Sequence, residues 1–373
     1  MMKNKKRAWL WLSPSLAMCL GACPSTDNPE ADVHNPPPKS FRVLVSGEEM
    51  LAEGIPFAHG SHSIAFEDGW KLSFESAIVT LAKVQLSENP DMSSGDQART
   101  GEVVAELEGP FAVELKSEGG FGLEGLAHAL GVLSKQNKKK GSPAFDSQTR
   151  YAFGYSLVRA TPEAVKIGFG EDTQRDYESM QAQGYSVFVR AKAWREEGET
   201  CRASASYDFG RLPSSLEFEL GFNMPVSYKN CENPAIGGLR GVQVKDNASV
   251  DAVIALHFDH LFWEALQEDA KLRLDAWIAH KSVETGPAPH AKLSNADLEK
   301  IDYLAVQDAQ KRGLPYRYCG EAQEDEKKSG EMLRYEPGSE AGGLQHLHDF
   351  IQYNLSTFGH LNENGLCFPQ REY

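Results

Sequence analysis

Positive charge is scarce in this chain. Its 373 residues carry 38 Lys and Arg against 53 Asp and Glu, a net charge of −15. Phosphate backbones are bound by clustered cations, so the balance argues against a nucleic-acid partner. The one basic cluster, residues 135–140 (KQNKKK), abuts Gly141-Ser142-Pro143 and reads as a solvated loop. Beyond residue 20 no apolar run is long enough to cross a bilayer, which excludes a transmembrane helix there. No G-x-S-x-G occurs, so a nucleophile elbow is excluded. The glycine-rich stretch Gly237-Gly238-Leu239-Arg240-Gly241 lacks the Lys and following helix of a phosphate-binding loop. The cysteines are few, and no C-x-x-C spacing marks a structural zinc site.

What is present starts with the amino terminus. Lys3, Lys5, Lys6 and Arg7 precede a mostly apolar run, Ala8 to Leu20, and then Leu20-Gly21-Ala22-Cys23. A positive segment, a short apolar segment and small residues before a cysteine form a secretory signal layout. The ending resembles a bacterial lipobox, which implies that residues 1–22 are a signal peptide and that Cys23 is lipidated. Cys19 is preceded by Met18 and fits less well. Residues 23–40, rich in Pro, Asp and Asn with Pro36-Pro37-Pro38, read as a tether. The expected address is a bacterial cell envelope reached through an N-terminal lipid, with Pro24 compatible with the outer membrane.

Setting aside Cys19 and Cys23 leaves Cys201, Cys231, Cys319 and Cys367, an even number that suggests two disulfides in an oxidising compartment. Three pairings are open, and proximity in sequence favours Cys201–Cys231 with Cys319–Cys367. From Phe41 onward, short alternating runs such as Trp70–Phe74, Tyr151–Leu157, Tyr185–Ala191 and Leu216–Phe222 are divided by Gly, Pro and Asn. That spacing predicts a mainly β fold, an antiparallel β-sandwich-like body over 41–258. A helix is expected near Asp172–Gln183. After residue 258 the period changes. Trp263, Leu266, Ala270, Leu274 and Trp277 recur at three and four residues, Ser294 and Asp297 form a capping box, and Leu344 to Phe358 marks a last helix with Gly359 as C-cap. The expected region 259–373 is therefore helical and packed on the body.

The chemistry-bearing stretch is Val250 to Leu266, where His257, Asp259 and His260 crowd against apolar sequence. Imidazoles and a carboxylate suit a divalent transition metal, with His346, His348, His360, His59 and His62 as candidate completing ligands. The competing reading is a helix-capping Asp259 beside a hydrogen-bonded core histidine. In a helical register His346 and His348 diverge by about 200° and cannot share one ion.

Leu256-His257-Phe258-Asp259-His260-Leu261-Phe262 followed by Lys292-Leu293-Ser294-Asn295-Ala296-Asp297-Leu298 resembles a family of delta-proteobacterial, mainly myxobacterial, lipoproteins. Gly47, Asp68-Gly69-Trp70, Gly359-His360 and Gly365-Leu366-Cys367 are similar too. Some relatives carry an EF-hand-like loop where this chain has Ala279 to Ala291, without the Asp-x-Asp-x-Asp-Gly spacing, so calcium is not expected there. The resemblance implies an envelope lipoprotein and supplies no activity. The sequence supports a non-enzymatic protein binding a ligand, metal or protein partner. A metal-dependent enzyme using His257, Asp259 and His260 and a purely structural envelope protein stay open.

Overall fold

The computed structural model describes residues 32–55, 64–122, 124–195, 201–203, 208–266, 270–279, 290–302, 317–319 and 343–372. Residues 1–31, which hold the expected signal peptide, Cys23 and half of the expected tether, lie outside them, as do His59 and His62. No helix among the described residues is long and apolar enough to cross a membrane.

Two sheets share one continuous hydrophobic cluster. The smaller has five strands in the order Gly365–Leu366, Gly359–Leu361, Val250–Leu256, Phe41–Ser46, His128–Leu133. Two of its three inner strands, Val250–Leu256 and Phe41–Ser46, are near-continuous apolar runs, as strands buried on both faces require. The larger sheet has ten strands and is built on Trp70–Ser87. One edge of this long strand pairs with Val187–Arg195 and then Ala152–Leu157. The other edge pairs with Phe111–Glu114 and then Val103–Leu107. Register shifts near Ser76 and Lys83 let one 18-residue strand bend between those partners. Ser215–Phe222 and His290–Ser294 extend the sheet on one side, Val226–Lys229 and Phe368–Arg371 on the other.

The mainly β expectation holds, but the sheets are mixed and not antiparallel throughout. Phe41–Ser46 runs parallel to Val250–Leu256, and Ser215–Phe222 runs parallel to His290–Ser294. Such neighbours are distant in sequence, and strand alternation says nothing about their direction. Glu171–Gln183 is helical, as its sequence suggests.

A helical carboxy-terminal third is not seen among the described residues. Leu347–Leu355 is the one helix there longer than five residues among the described ones, and five of the strands come from this region. The run Trp263 to Trp277 shows why. Phe262 and Glu264 pair with Arg273 and Lys271 as a narrow hairpin, and Trp263 bridges Leu272. Helix begins only at 275–279, where the Asp68 carboxylate accepts the backbone N–H groups of Leu274 and Asp275 at 2.7 Å. Spacing of three and four residues marked which side chains are buried, not the backbone that buries them. The capping box at Ser294 and Asp297 forms, ahead of the single turn Asn295–Leu298. His346 caps Leu347–Leu355 with Asp349, and Ser356 ends that helix, so Gly359 opens a strand instead of closing the helix. A Cβ at Gly359 would lie 2.3 Å from Tyr155 Oη, a space that only glycine leaves free.

The disulfides also differ from the expected pairing. They join Cys201 to Cys319 and Cys231 to Cys367. Strand register decides this. Arg202–Ala203 pairs with Arg317–Tyr318, and Val226–Lys229 pairs with Phe368–Arg371, so each cysteine meets the one beside its partner strand. The basic cluster is tied down: Lys138 pairs with Glu106 and Glu108, and Lys139 with Glu88.

A buried polar network crosses the middle of the fold. Asp275 accepts from Trp70 Nε1 at 2.7 Å and from Arg317 Nε and Nη2 at 3.0 and 2.9 Å. Arg273 pairs with Glu264 at 2.6 Å, both nearly inaccessible. Burial, then the Asp275 charge, push the Asp68 carboxyl up to about 7. Burial raises Asp275 as well, with Arg317 and then Trp70 opposing.

Two outcomes test this architecture. Non-reducing peptide mapping should yield Cys201–Cys319 and Cys231–Cys367 cross-links, and Cys231→Ser with Cys367→Ser should cost roughly 2–5 kcal/mol in denaturant unfolding. Asp68 binds its proton more tightly folded than unfolded, so its contribution to stability grows as pH falls from about 7 toward its ordinary value near 3.8. Asp68→Asn should remove that part of the pH dependence of thermal melting.

Candidate metal centre

The three inner strands of the five-stranded sheet, Phe41–Ser46, Val250–Leu256 and Gly359–Leu361, place the site. Phe41–Ser46 and Val250–Leu256 run parallel with Ser46 opposite Ala255, so both chains leave the sheet at one end. Two residues on, Glu48 stands beside His257. Their side chains are 3.3 Å apart, Glu48 Oε2 to His257 Nε2, without hydrogen-bond alignment. Glu48 holds a left-handed backbone, φ 57°, at the start of helix Glu48–Glu53. Non-glycine residues take that region at a cost and often where function fixes them. Gly47 before it has no room for a Cβ, which would lie 2.0 Å from Leu51 Cδ1.

From the other side, Gly359–Leu361 runs antiparallel to Val250–Leu256 with His360 opposite Ala255, and the His257 N–H donates to the Phe358 carbonyl at 2.9 Å. The His257 and His360 rings stack at 4.1 Å. The single turn Phe258–Leu261 swings His260 back toward them, 6.1 Å from His257 and 5.7 Å from His360 by ring centres. One ligand atom from each of His257, His260 and His360 lies within 4.8 Å of the others. His346 and His348 are elsewhere: His346 caps a helix, and His348 stacks on Phe222 at 5.2 Å. Of the six candidate ligands within the described residues three therefore converge, and Asp259 lies alongside them.

Asp259 does not cap a helix. Its Oδ2 accepts from the Trp263 indole at 2.9 Å, while its buried Oδ1 has no hydrogen-bond partner. Trp263 also stacks on His260 at 3.6 Å, so one indole fixes two site residues. Thr357 sets the His260 tautomer. Its hydroxyl donates to the Asn354 carbonyl at 2.7 Å and so must accept from His260 Nδ1, 2.9 Å away. Nε2 of His260 is left as the lone-pair nitrogen, the form that binds metal.

His360 is the most telling residue. It is 6% exposed, and neither ring nitrogen makes a well-aligned hydrogen bond. A buried polar atom left unpaired costs about 1–3 kcal/mol. Burial and then the His257 ring hold His360 down to about 3, the Asn364 backbone offsetting only part. Burial, then His360 and His257, lower His260 well below the ordinary imidazole range. Both are neutral donors at physiological pH. Burial also acts against a charge on His257, yet Glu48 and then Asp259 outweigh it and raise its pKa. Burial raises Asp259, with His257 opposing.

Three neutral-competent imidazoles with carboxylates adjacent suit zinc, copper, nickel or cobalt more than magnesium or calcium. Tetrahedral bonds near 2.0–2.1 Å put donor atoms about 3.3 Å apart, so binding would draw these rings inward. Glu48 and Thr357 were not visible as site residues in sequence. Glu48 lies 209 positions from His257 and only the parallel pairing joins them.

In metal-free protein, histidine NMR titration should find His257 titrating above the ordinary value of 6.5 and His360 staying neutral to about pH 3. Glu48→Gln should lower the His257 value. No family model, curated protein or solved structure matches this chain, so the site's own geometry carries the functional reading.

Proposed function

We propose that this chain is a lipid-anchored bacterial envelope protein that binds a divalent transition-metal ion through His257, His260 and His360, without catalytic turnover. The observation that carries the reading is the meeting of three buried or half-buried imidazoles in which neither His360 nitrogen makes a well-aligned hydrogen bond. A structural histidine cluster would hydrogen-bond those nitrogens, because leaving them bare costs stability with nothing returned. Three histidine ligands leave a fourth position, toward which Glu48 or Asp259 would act as ligand or as acceptor for a bound water. The anchor rests on residues 1–23, and the two disulfides accord with an oxidising compartment. The likeness to the delta-proteobacterial lipoproteins belongs to the same proposal.

One observation favours a second reading. The unpartnered Oδ1 of buried Asp259 is placed to take a proton in a metal-dependent enzyme. On that reading Asp259→Asn keeps the metal and loses turnover.

Elemental analysis of a tag-free soluble form beginning at residue 24 should find about one transition-metal equivalent per chain, lost in the His257→Ala, His360→Ala double variant. Thr357→Val should weaken affinity about 10–100-fold by freeing the His260 tautomer. Near-zero metal in both wild type and double variant, with melting unchanged by chelator, would return the cluster to a structural role.

A further inference from the structure

A cavity of about 510 Å³ opens on the larger sheet, away from the histidines. It is walled by the strands Trp70–Ser87, Ala152–Leu157 and Val226–Lys229, by the loop 96–101 and by the chain end near Gln370. That volume lies within the range of small-molecule sites. Three cations line it: Lys83, Arg99 and Lys229. Among the described residues none of the three makes an ion pair or a side-chain hydrogen bond. Other cations on the same molecule are paired, including Arg42 with Asp251, Arg190 with Asp176 and Lys192 with Glu75. The cavity holds three cations against two carboxylates, Asp96 and Glu372, a local excess of one positive charge in a chain of net charge −15.

Part of the remaining lining is polar and held by hydrogen bonds. Ser156 Oγ and Ser227 Oγ are 2.9 Å apart, and Ser227 donates on to Glu372 at 3.2 Å. Asn230 is 2% exposed and takes a left-handed backbone, φ 48°. Its Nδ2 donates to the Pro90 and Gln97 carbonyls at 2.8 and 2.7 Å, fastening the loop that forms one wall. Its Oδ1 is buried without a partner. Lys83 also takes a left-handed backbone, φ 52°, at the register shift in the long strand. Unpaired cations call for an anion, and the paired serine hydroxyls suit a ligand that carries hydroxyls of its own.

We propose that this cavity binds a small hydroxylated anion, a sugar acid or sugar phosphate, through Lys83, Arg99 and Lys229 with the Ser156–Ser227 pair. Anionic groups meet the three cations, and ligand hydroxyls exchange hydrogen bonds with the Ser156–Ser227 pair. The cavity shares no residue with the histidine cluster, so the two sites stand or fall separately.

Calorimetric titration of the full chain with glucuronate and with glucose 6-phosphate tests this, with glucose and inorganic phosphate as the uncharged and unhydroxylated probes. At least one sugar anion should bind, with glucose and phosphate weaker by about tenfold or more. The Lys83→Ala, Arg99→Ala, Lys229→Ala variant should lose about tenfold or more while its melting temperature and metal content stay unchanged. Its three side chains are exposed, so folding is not at stake. Binding should also weaken with added salt. No binding of either sugar anion at millimolar concentration would overturn the proposal, as would unchanged binding in the triple variant. Inorganic phosphate binding as tightly as the sugar anions would overturn the assignment of a hydroxylated ligand.

Discussion

The pairing of Val250–Leu256 with two strands from the far ends of the chain is the constraint on which the rest depends. On one side it holds Phe41–Ser46 in parallel, and on the other it holds Gly359–Leu361 antiparallel. Both registers converge at Ala255, so residues 48, 257 and 360 emerge together where the strand ends. A one-residue slip of Phe41–Ser46 would carry Glu48 away from His257, and a slip of Gly359–Leu361 would carry His360 away from it. The packing that resists such a slip is extensive. Phe41, Val43, Val45, Ile254, Leu256 and Leu361 are all buried in the shared cluster.

A second constraint works through charge. The Asp68 carboxylate starts the 275–279 helix, Trp70 and Arg317 converge on Asp275, and Cys319 hydrogen-bonds the Glu67 carbonyl. Strand start, helix start and disulfide are thereby locked into one arrangement. Buried ion pairs of this kind contribute little net stability but penalise alternatives, since removing one partner strands the other charge. The sequence motif Asp68-Gly69-Trp70 has its physical meaning here: two of its side chains reach the same buried helix start.

Much of the fold was legible because it depends on local rules. Strand alternation in Trp70–Phe74, Ala152–Leu157 and Leu216–Phe222 follows from side chains pointing to opposite faces. The Ser294–Asp297 capping box follows from unsatisfied N–H groups at a helix start. The hairpin at 262–273 was misread because its burial pattern has helical spacing, and short apolar runs do not distinguish the two backbones. The site was half legible. His257, Asp259 and His260 stand in one short segment, and His360 was among the distant candidates. His346 and His348 looked equal to it, and nothing local separates a histidine that caps a helix from one that faces across a sheet.

The sequence by itself determined the class of fold, the positions of most strands, the acidic surface and which residues could serve as ligands, because composition and periodicity act over a few residues. Tertiary structure decided the strand directions, the Cys201–Cys319 and Cys231–Cys367 pairing, and the choice of His360 over His346 and His348. Those outcomes depend on which distant segments share backbone hydrogen bonds, and that choice is made by burying one common core.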